Sequence, residues 1–367
     1  MTGSASLVGE PVSALDTPAL VVDLDILERN LAWIAGTCAE HGVGWRPHCK
    51  SHKSPDIARR QMAAGAIGIT CAKLSEAEML VDAGITDILV ANQIVGPIKI
   101  ARLMRLCRRA DVMVAVDGPD NVRSLAEAAS AEGLSLRVLI EVDTGTKRAG
   151  VLPGAPVLAL ARVVADHPSL ILTGVMTWEG HTTRIPDPEE KRRAIAEAVG
   201  ALVASADLCR ANGIPIWIVS CGGTGTFETT ARIKGVTEIQ AGGGIFGDVR
   251  YRTIYNVPVE YGLTVHSIVT SRPTDRRVIT DAGKKAMSTD AGLPVPLDLP
   301  DIDSVGFSAE HAKIELRQPS ATPAVGDRIR FVVGYADTTI HLHQEIVATR
   351  GGRIEQVWPI PPDARLR

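Results

Sequence analysis

The chain has 367 residues, with 39 Lys plus Arg against 42 Asp plus Glu, a formal net charge of −3. No basic excess exists to neutralise a nucleic-acid backbone, and 45% hydrophobic against 22% charged residues excludes dominant disorder. Mean hydropathy is +0.11, no apolar run approaches bilayer length, and the opening MTGSASLVGEPVSALDTPAL lacks the basic-then-apolar pattern of a secretory leader. Six cysteines, at 38, 49, 71, 107, 209 and 221, are scattered without a C-x-x-C pair. They fit reduced thiols, and so a cytoplasmic protein, better than a disulfide framework or a zinc ribbon.

In chain order, strands are expected at Trp45–His48 and Ile67–Cys71, then a helix at Ser75–Ala83 and a strand at Asp87–Ala91. Helix Pro97–Arg108, strand Asp111–Val116, helix Pro119–Ala131 and strand Leu136–Glu141 follow. Next come helix Ala155–Ala165, strand Ile171–Thr177, helix Pro188–Asn212, and strands Ile216–Ser220 and Thr237–Ala241. Ser, Asp or Pro precedes several helices, and Gly84, Gly133 and Gly213 follow three of them as stop signals. Eight strands alternating with helices predict an α/β fold with a parallel sheet. A closed (β/α)8 barrel over residues 24–250 ranks above a doubly wound open sheet, because the unusual residues follow many different strands.

Beyond Tyr251 the texture changes to strand-like segments at Tyr261–Thr270, Arg277–Thr280, Asp327–Val333, Gln344–Thr349 and Arg353–Trp358. Residues 251–367 are expected to form a β-rich domain, with 1–23 possible additions to it. Leu20–Leu24 pairs either with that domain or with the barrel.

Reactive groups of such barrels gather at the C-terminal strand ends. Strand one ends in Arg46-Pro47-His48-Cys49-Lys50-Ser51-His52-Lys53, and strand five runs into Asp143-Thr144-Gly145-Thr146-Lys147-Arg148. Strand six ends in Thr177-Trp178-Glu179-Gly180-His181, strand seven in Ser220-Cys221-Gly222-Gly223-Thr224-Gly225, and strand eight in Ala241-Gly242-Gly243-Gly244. Two Gly-rich loops at adjacent strand ends let backbone N–H groups converge on one phosphate. A tight turn alone is the competing reading. Lys50 lies just past an inward-pointing strand and is favoured over Lys53, expected to begin the next helix, as the amine for a Schiff base. Arg148 is a second inward cation, or else a rim salt bridge. Lysine, phosphate cradle and arginine together imply pyridoxal 5′-phosphate.

The chain resembles the D-threonine aldolase and D-serine dehydratase group of the alanine-racemase-like class, fold type III. The resemblance is carried by Thr17-Pro18-Ala19-Leu20-Val21-Val22-Asp23, the Arg46–Lys53 run, Asp143-x-Gly145-x-x-Arg148-x-Gly150 and Ser220-x-Gly222-Gly223-Thr224-Gly225. It continues through Asp281-Ala282-Gly283-x-Lys285, Asp290-x-Gly292-Leu293-Pro294, Glu310-His311 and Val357-Trp358-Pro359. It implies a homodimer in which Lys50 carries the cofactor, Arg148 lies beside its phenolic oxygen, and Gly222, Gly223, Thr224, Gly243 and Gly244 bind its phosphate. Trp178, where the family has tyrosine, and His181 match the wall beside the cofactor ring.

The family's C-terminal His-x-Asp or His-x-Cys metal pair is here Tyr335-Ala336-Asp337. Asp337 is retained as a candidate ligand for Mn, Mg or Zn, but a neutral phenol is a poor partner for it. His341 is a possible replacement, and its i, i+2 spacing with His343 predicts one face of a strand. Lys50, Tyr335 and His181 are the residues assigned to catalysis. The expected reaction is retro-aldol cleavage of a D-β-hydroxy-α-amino acid to glycine and an aldehyde. The alternatives are a dehydratase acting on D-serine or D-3-hydroxyaspartate, a metal-independent racemase or epimerase with Tyr335 as second acid/base, and a non-catalytic cofactor-binding protein.

Overall fold

The computed structural model describes residues 4–299 and 301–362. The described chain divides into two compact units, residues 32–242 and residues 4–31 with 243–362. Strand β1 (Ala19–Asp23) leads into helix α1 (Leu24–Glu40), inside which the boundary falls.

The first unit is the barrel. Its strands and helices alternate as β2 (Gly44–Trp45), α2 (Pro55–Ala63), β3 (Ile69–Cys71), α3 (Leu74–Asp82), β4 (Asp87–Gln93), α4 (Pro97–Cys107) and β5 (Asp111–Val116). They go on as α5 (Pro119–Ala131), β6 (Leu136–Glu141), α6 (Ala155–Ala165), β7 (Leu170–Met176), α7 (Pro188–Ala211), β8 (Ile218–Cys221), α8 (Phe227–Thr230) and β9 (Glu238–Ile239). All neighbours are parallel, in the order β2-β9-β8-β7-β6-β5-β4-β3. The ring closes where Ile67 N donates to Trp45 O at 2.8 Å, Thr70 N donates to Pro47 O at 2.9 Å, and His48 forms a parallel bridge with Thr70.

The strands form because runs such as DVMVAV and LRVLIE are buried on both faces, as parallel strands covered by helices are. Leu89, Met113, Ala115, Leu139 and Met176, from four adjacent strands, pack into one internal cluster. The helices carry stripes at 3–4-residue spacing. In α7, Ile195, Ala198, Val199, Leu202, Ala206 and Cys209 are buried, Asp187 caps the start by accepting from Glu190 N at 2.7 Å, and Pro188 occupies the first turn. Arg46, in the run that carries the family resemblance, is structural. It is buried between Glu238 at 2.9 Å and Asp87 at 2.5 Å, tying β2 to β9 and β4.

In the second unit β1 pairs antiparallel with β10 (Leu263–Ser271), Ala19 opposite His266, and parallel with β16 (Glu345–Arg350), Val21 opposite Val347. The other elements are β11 (Arg277–Thr280), β12 (Val295–Pro296), β13 (Ile302–Phe307), β14 (Ala312–Leu316), β15 (Arg328–Val332), α9 (Ala336–Ile340) and β17 (Arg353–Pro359). The main order is β13-β14-β11-β10-β1-β16-β17, with β15 on β10 and β12 on β15. Leu15, Val21, Val347 and Ile354 form one of its apolar clusters. Among the described residues no helix is long and apolar enough to cross a membrane.

Candidate functional site

Lys50 sits in a short 3-10 turn, Cys49–Ser51, directly after the first barrel strand. His48 caps that turn, its Nδ1 accepting from Lys50 N at 3.3 Å. Burial, then the charges of Lys50, His52, Arg148 and Lys53, hold the His48 imidazole well below its ordinary value, so it is neutral near pH 7. Lys53 does not begin the next helix: α2 starts at Pro55, and Lys53 lies in the connecting turn at φ 47°. Its Nζ is 3.1 Å from Glu76 Oε1, with both side chains mostly buried. Lys53 is thereby committed to an ion pair, while Lys50 stays at the strand end.

Arg148 follows β6 and reaches Glu141 Oε1 at 3.2 Å. Glu141 is buried, and its other oxygen accepts from Gln93 Nε2 at 2.6 Å. The loops after β6 and β7 are joined side by side. Thr144 and Thr177 hydroxyls are 2.9 Å apart, Thr177 Oγ1 donates to Val142 O at 2.7 Å, and Thr146 Oγ1 donates to Trp178 O. Gly145 has φ 135°, and a Cβ there would come within 2.7 Å of His181 Nε2, so this glycine gives His181 its place. His181 itself is exposed, with Nδ1 3.5 Å from Thr146 Oγ1.

The loop after β8 is fixed by a residue that sequence reasoning passed over. Glu179 is fully buried and accepts from Thr226 Oγ1 at 2.7 Å, Thr230 Oγ1 at 2.9 Å and Gly222 N at 3.4 Å. Trp178 lies against Gly223, where a Cβ would collide with the indole. Among the described residues the Gly223 amide has no hydrogen-bond acceptor.

Gly243 and Gly244 belong to the second unit. A Cβ on Gly243 would stand 2.7 Å from Tyr251 Oη and 3.3 Å from Asp337 Oδ1, which brings these three residues together. Tyr335 caps α9 and Asp337 lies in its first turn. The Arg250 guanidinium is 4.5 Å from the centre of the Tyr335 ring, and Tyr251 meets that ring edge-on at 6.0 Å. His341 and His343 do not share a strand face as expected. Thr338 to Ile340 continue the helix from Asp337, so His341 ends α9 and His343 follows in a turn with Nε2 2.8 Å from Ala286 O. Glu310 is exposed and pairs with Lys285 at 2.6 Å.

Asp248 is a second residue missed from sequence. It is buried, and it accepts from Tyr251 N and Ala336 N, each at 2.8 Å. Burial is the main reason its carboxyl is pushed up to about 7, and the neighbouring Asp337 raises it further. No local pattern announces Asp248 or Glu179. Glu179 is defined by hydroxyls 47 and 51 residues away, and Asp248 by Ala336 N, 88 residues away, together with the nearby Tyr251 N.

A closed parallel barrel with a strand-end lysine, joined to a mainly antiparallel sheet unit, defines the alanine-racemase fold class. The family pattern described as the alanine racemase N-terminal domain matches residues 22–250, and that of a putative serine dehydratase domain matches residues 262–349. A D-threonine aldolase from an Arthrobacter species is 37% identical over 96% of this chain and 94% of its own. A 3-hydroxy-D-aspartate aldolase from Paracoccus denitrificans is 33% identical over 97% and 94%. The crystal structure of D-threonine aldolase from Filomicrobium marinum superposes with a TM-score of 0.92 at 37% identity, covering 97% of this chain and 96% of that one. The chain belongs to the D-threonine aldolase and D-serine dehydratase-like family.

Proposed function

We propose that the protein is a pyridoxal 5′-phosphate-dependent lyase that cleaves a D-β-hydroxy-α-amino acid to glycine and an aldehyde. One observation carries this reading: Lys50 stands in the turn directly after the first barrel strand, at the end of the barrel where reactive groups gather, whereas Lys53 lies farther along the loop and pairs with Glu76. The residues present fit the cofactor. Lys50 Nζ would hold its aldehyde, Arg148 its phenolic oxygen and Trp178 its ring face. Gly222, Gly223 and Thr224 would take the phosphate, and among the described residues the Gly223 amide donates to no acceptor. Gly243 and Gly244 keep that role on the family resemblance alone. When bound, the cofactor supplies an electron sink for the bond broken at the substrate Cα.

The residues do the rest. His181, with an exposed imidazole, takes the β-hydroxyl proton as Cα–Cβ breaks and Cβ becomes the aldehyde carbon. Lys50 Nζ then delivers a proton to Cα, giving glycine. Tyr335, in the second unit, keeps its assignment of orienting the β-hydroxyl by a hydrogen bond on the sequence reading alone. The donors at Asp337 do not fit a conventional metal centre. Among the described residues the only trio of His, Cys, Asp or Glu within ligating distance lies elsewhere in the chain. No step is therefore assigned to a metal.

The match of residues 262–349 to a putative serine dehydratase domain favours one second reading, loss of the β-hydroxyl to give a keto acid and ammonia. The homodimer implied by the family resemblance and the cytoplasmic setting that the scattered cysteines suggest belong to this proposal.

The test is a product assay on the cofactor-loaded, chelator-treated protein with D-threonine, D-serine and D-3-hydroxyaspartate, with and without Mn2+, Mg2+ or Zn2+. Glycine plus aldehyde without metal is the expected result. Keto acid plus ammonia establishes the dehydratase, and loss of optical purity without either product establishes a racemase.

A further inference from the structure

Cys49, which precedes Lys50, opens the 3-10 turn after the first barrel strand, Cys71 ends β3, and Glu76 lies in the first turn of α3. All three are buried, and one donor atom from each lies within 4.8 Å of the others. The two Sγ atoms are 3.7 Å apart, and Cys49 Sγ is 3.6 Å from Glu76 Oε2. Zinc bonds of about 2.3 Å to sulfur and about 2.0 Å to oxygen at a tetrahedral angle would put two sulfurs about 3.8 Å apart and sulfur and oxygen about 3.5 Å apart. The triad already stands at those separations.

We propose that Cys49, Cys71 and Glu76 form a binding site for one thiophilic divalent cation of the zinc and cadmium type.

The charge balance favours it. Two neutral thiols, the Glu76 carboxylate and the Lys53 ammonium at 3.1 Å sum to zero. The dication replaces two thiol protons, so two thiolates, one carboxylate, one ammonium and the metal also sum to zero. Nothing charged is left buried without compensation. The two protons leave to solvent, and no oxidant is needed. The hydrogen bond to Cys71 and burial keep the Cys49 thiol protonated, and burial does the same for Cys71, so proton release is an observable signature of metal entry. Glu76 is held for the role by Ala72 N, which donates to its Oε2 at 2.7 Å. The bound metal would link the turn carrying Lys50 to the end of β3 and the start of α3.

The site is tested on the purified, cofactor-loaded protein after chelator treatment. Titration with Cd2+ should give a thiolate-to-metal charge-transfer band saturating at one metal per chain, with two protons released per metal in weakly buffered solution. Zn2+ should displace Cd2+. Cys71→Ala and, separately, Glu76→Gln should weaken binding at least 100-fold and at least 10-fold. Cys107→Ala, remote in the chain, should leave it unchanged. Circular dichroism checks that each variant is folded, and Cys49→Ala serves as the second thiol variant where Cys71→Ala does not fold. A missing charge-transfer band, binding without proton release, or binding untouched by removal of either thiol overturns the proposal.

Discussion

Arg148 Nη2 and Glu141 Oε1 are 3.2 Å apart, and Glu141 is the more deeply buried partner. The pair adds little to stability, because the arginine side chain is 59% exposed and exposed ion pairs contribute little. Its effect is positional. Gln93 fixes one carboxylate oxygen and leaves the other to aim the guanidinium. Glu141→Gln should lower kcat/KM about tenfold, equivalent to roughly 1.4 kcal/mol of transition-state stabilisation, with little change in Tm. Steady-state kinetics beside thermal denaturation checks it. An unchanged kcat/KM would show that Arg148 needs no aiming.

The two lysines of the first strand loop should separate cleanly. Lys50→Ala should lose covalent retention of the cofactor under borohydride and at least about 10³-fold in activity. Lys53→Ala should retain the cofactor but lose about 3 kcal/mol or more in urea unfolding, because it leaves the Glu76 carboxylate buried without its cation. Cofactor labelling in Lys50→Ala protein would sink the assignment of Lys50.

The barrel was legible because parallel strands buried on both faces are β-branched runs between helix signals. Asp111–Val116, Leu136–Glu141, Pro119–Ala131 and Ala155–Ala165 stand where the pattern put them. Helix α2 starts at Pro55 and not at the expected Lys53, because its nine residues bury only Ile57, Ala58 and Gln61, too short a face to fix its start from sequence. Strands β13 and β14 were missed for a related reason. They are short and half-exposed, and AKIEL carries good helix formers in a strand held only by its neighbours. Of the proposed site residues, Lys50 and Arg148 hold the positions after barrel strands that the sequence pattern gave them. Glu179 was not readable, because its hydroxyl partners lie 47 and 51 residues away. His341 was misplaced because a five-residue helix over ADTTI has too few positions to show a period.

Glu179 should prove to be the anchor of the β8 loop. Glu179→Ala leaves the Gly222 amide without its acceptor and the Thr226 and Thr230 hydroxyls with only their longer bonds to Gly223 O and Thr226 O, each at 3.2 Å. At about 1–2 kcal/mol for the orphaned amide and about 0.5–1 kcal/mol for each weakened hydroxyl bond, the loss should be roughly 2–4 kcal/mol. The Kd for pyridoxal 5′-phosphate should also rise at least tenfold, since the displaced loop carries Gly223 and Thr224. Urea unfolding and a cofactor titration measure the two effects, and a stable variant with unchanged Kd would refute the anchoring role.

Asp248 sets a pH dependence. Its folded-state pKa, about 7, lies above the ordinary carboxylate value, chiefly through burial. The native state therefore holds a proton that the unfolded chain has already lost above about pH 4. The stabilisation is complete below pH 4 and is lost as pH rises, most of it by the folded pKa near 7. Arg250 opposes the shift and Asp337 adds to it. The urea midpoint should fall from pH 5 to pH 8, and Asp248→Asn should flatten that fall while lowering stability at pH 5, since the amide keeps only one of two acceptor oxygens. A wild-type-like slope in the variant would assign the titration to another group.

Tyr335 tests whether a phenol has taken over the work of a metal ligand. Its ring is already held, with Arg250 over its face and Tyr251 at its edge. Each such contact is worth on the order of 1 kcal/mol, and phenylalanine would preserve both. Tyr335→Phe thus isolates the hydroxyl. It should lower kcat at least tenfold with Tm nearly unchanged, and chelators should affect neither form. Tyr335→His places an imidazole two residues before Asp337, at the cap and in the first turn of the same helix. That variant should lose activity on chelation and regain it with Mn2+ or Zn2+, because imidazole and carboxylate together make a metal site that phenol and carboxylate do not. Chelator-sensitive wild-type activity, or a Tyr335→Phe variant with full kcat, would remove the phenol from the mechanism.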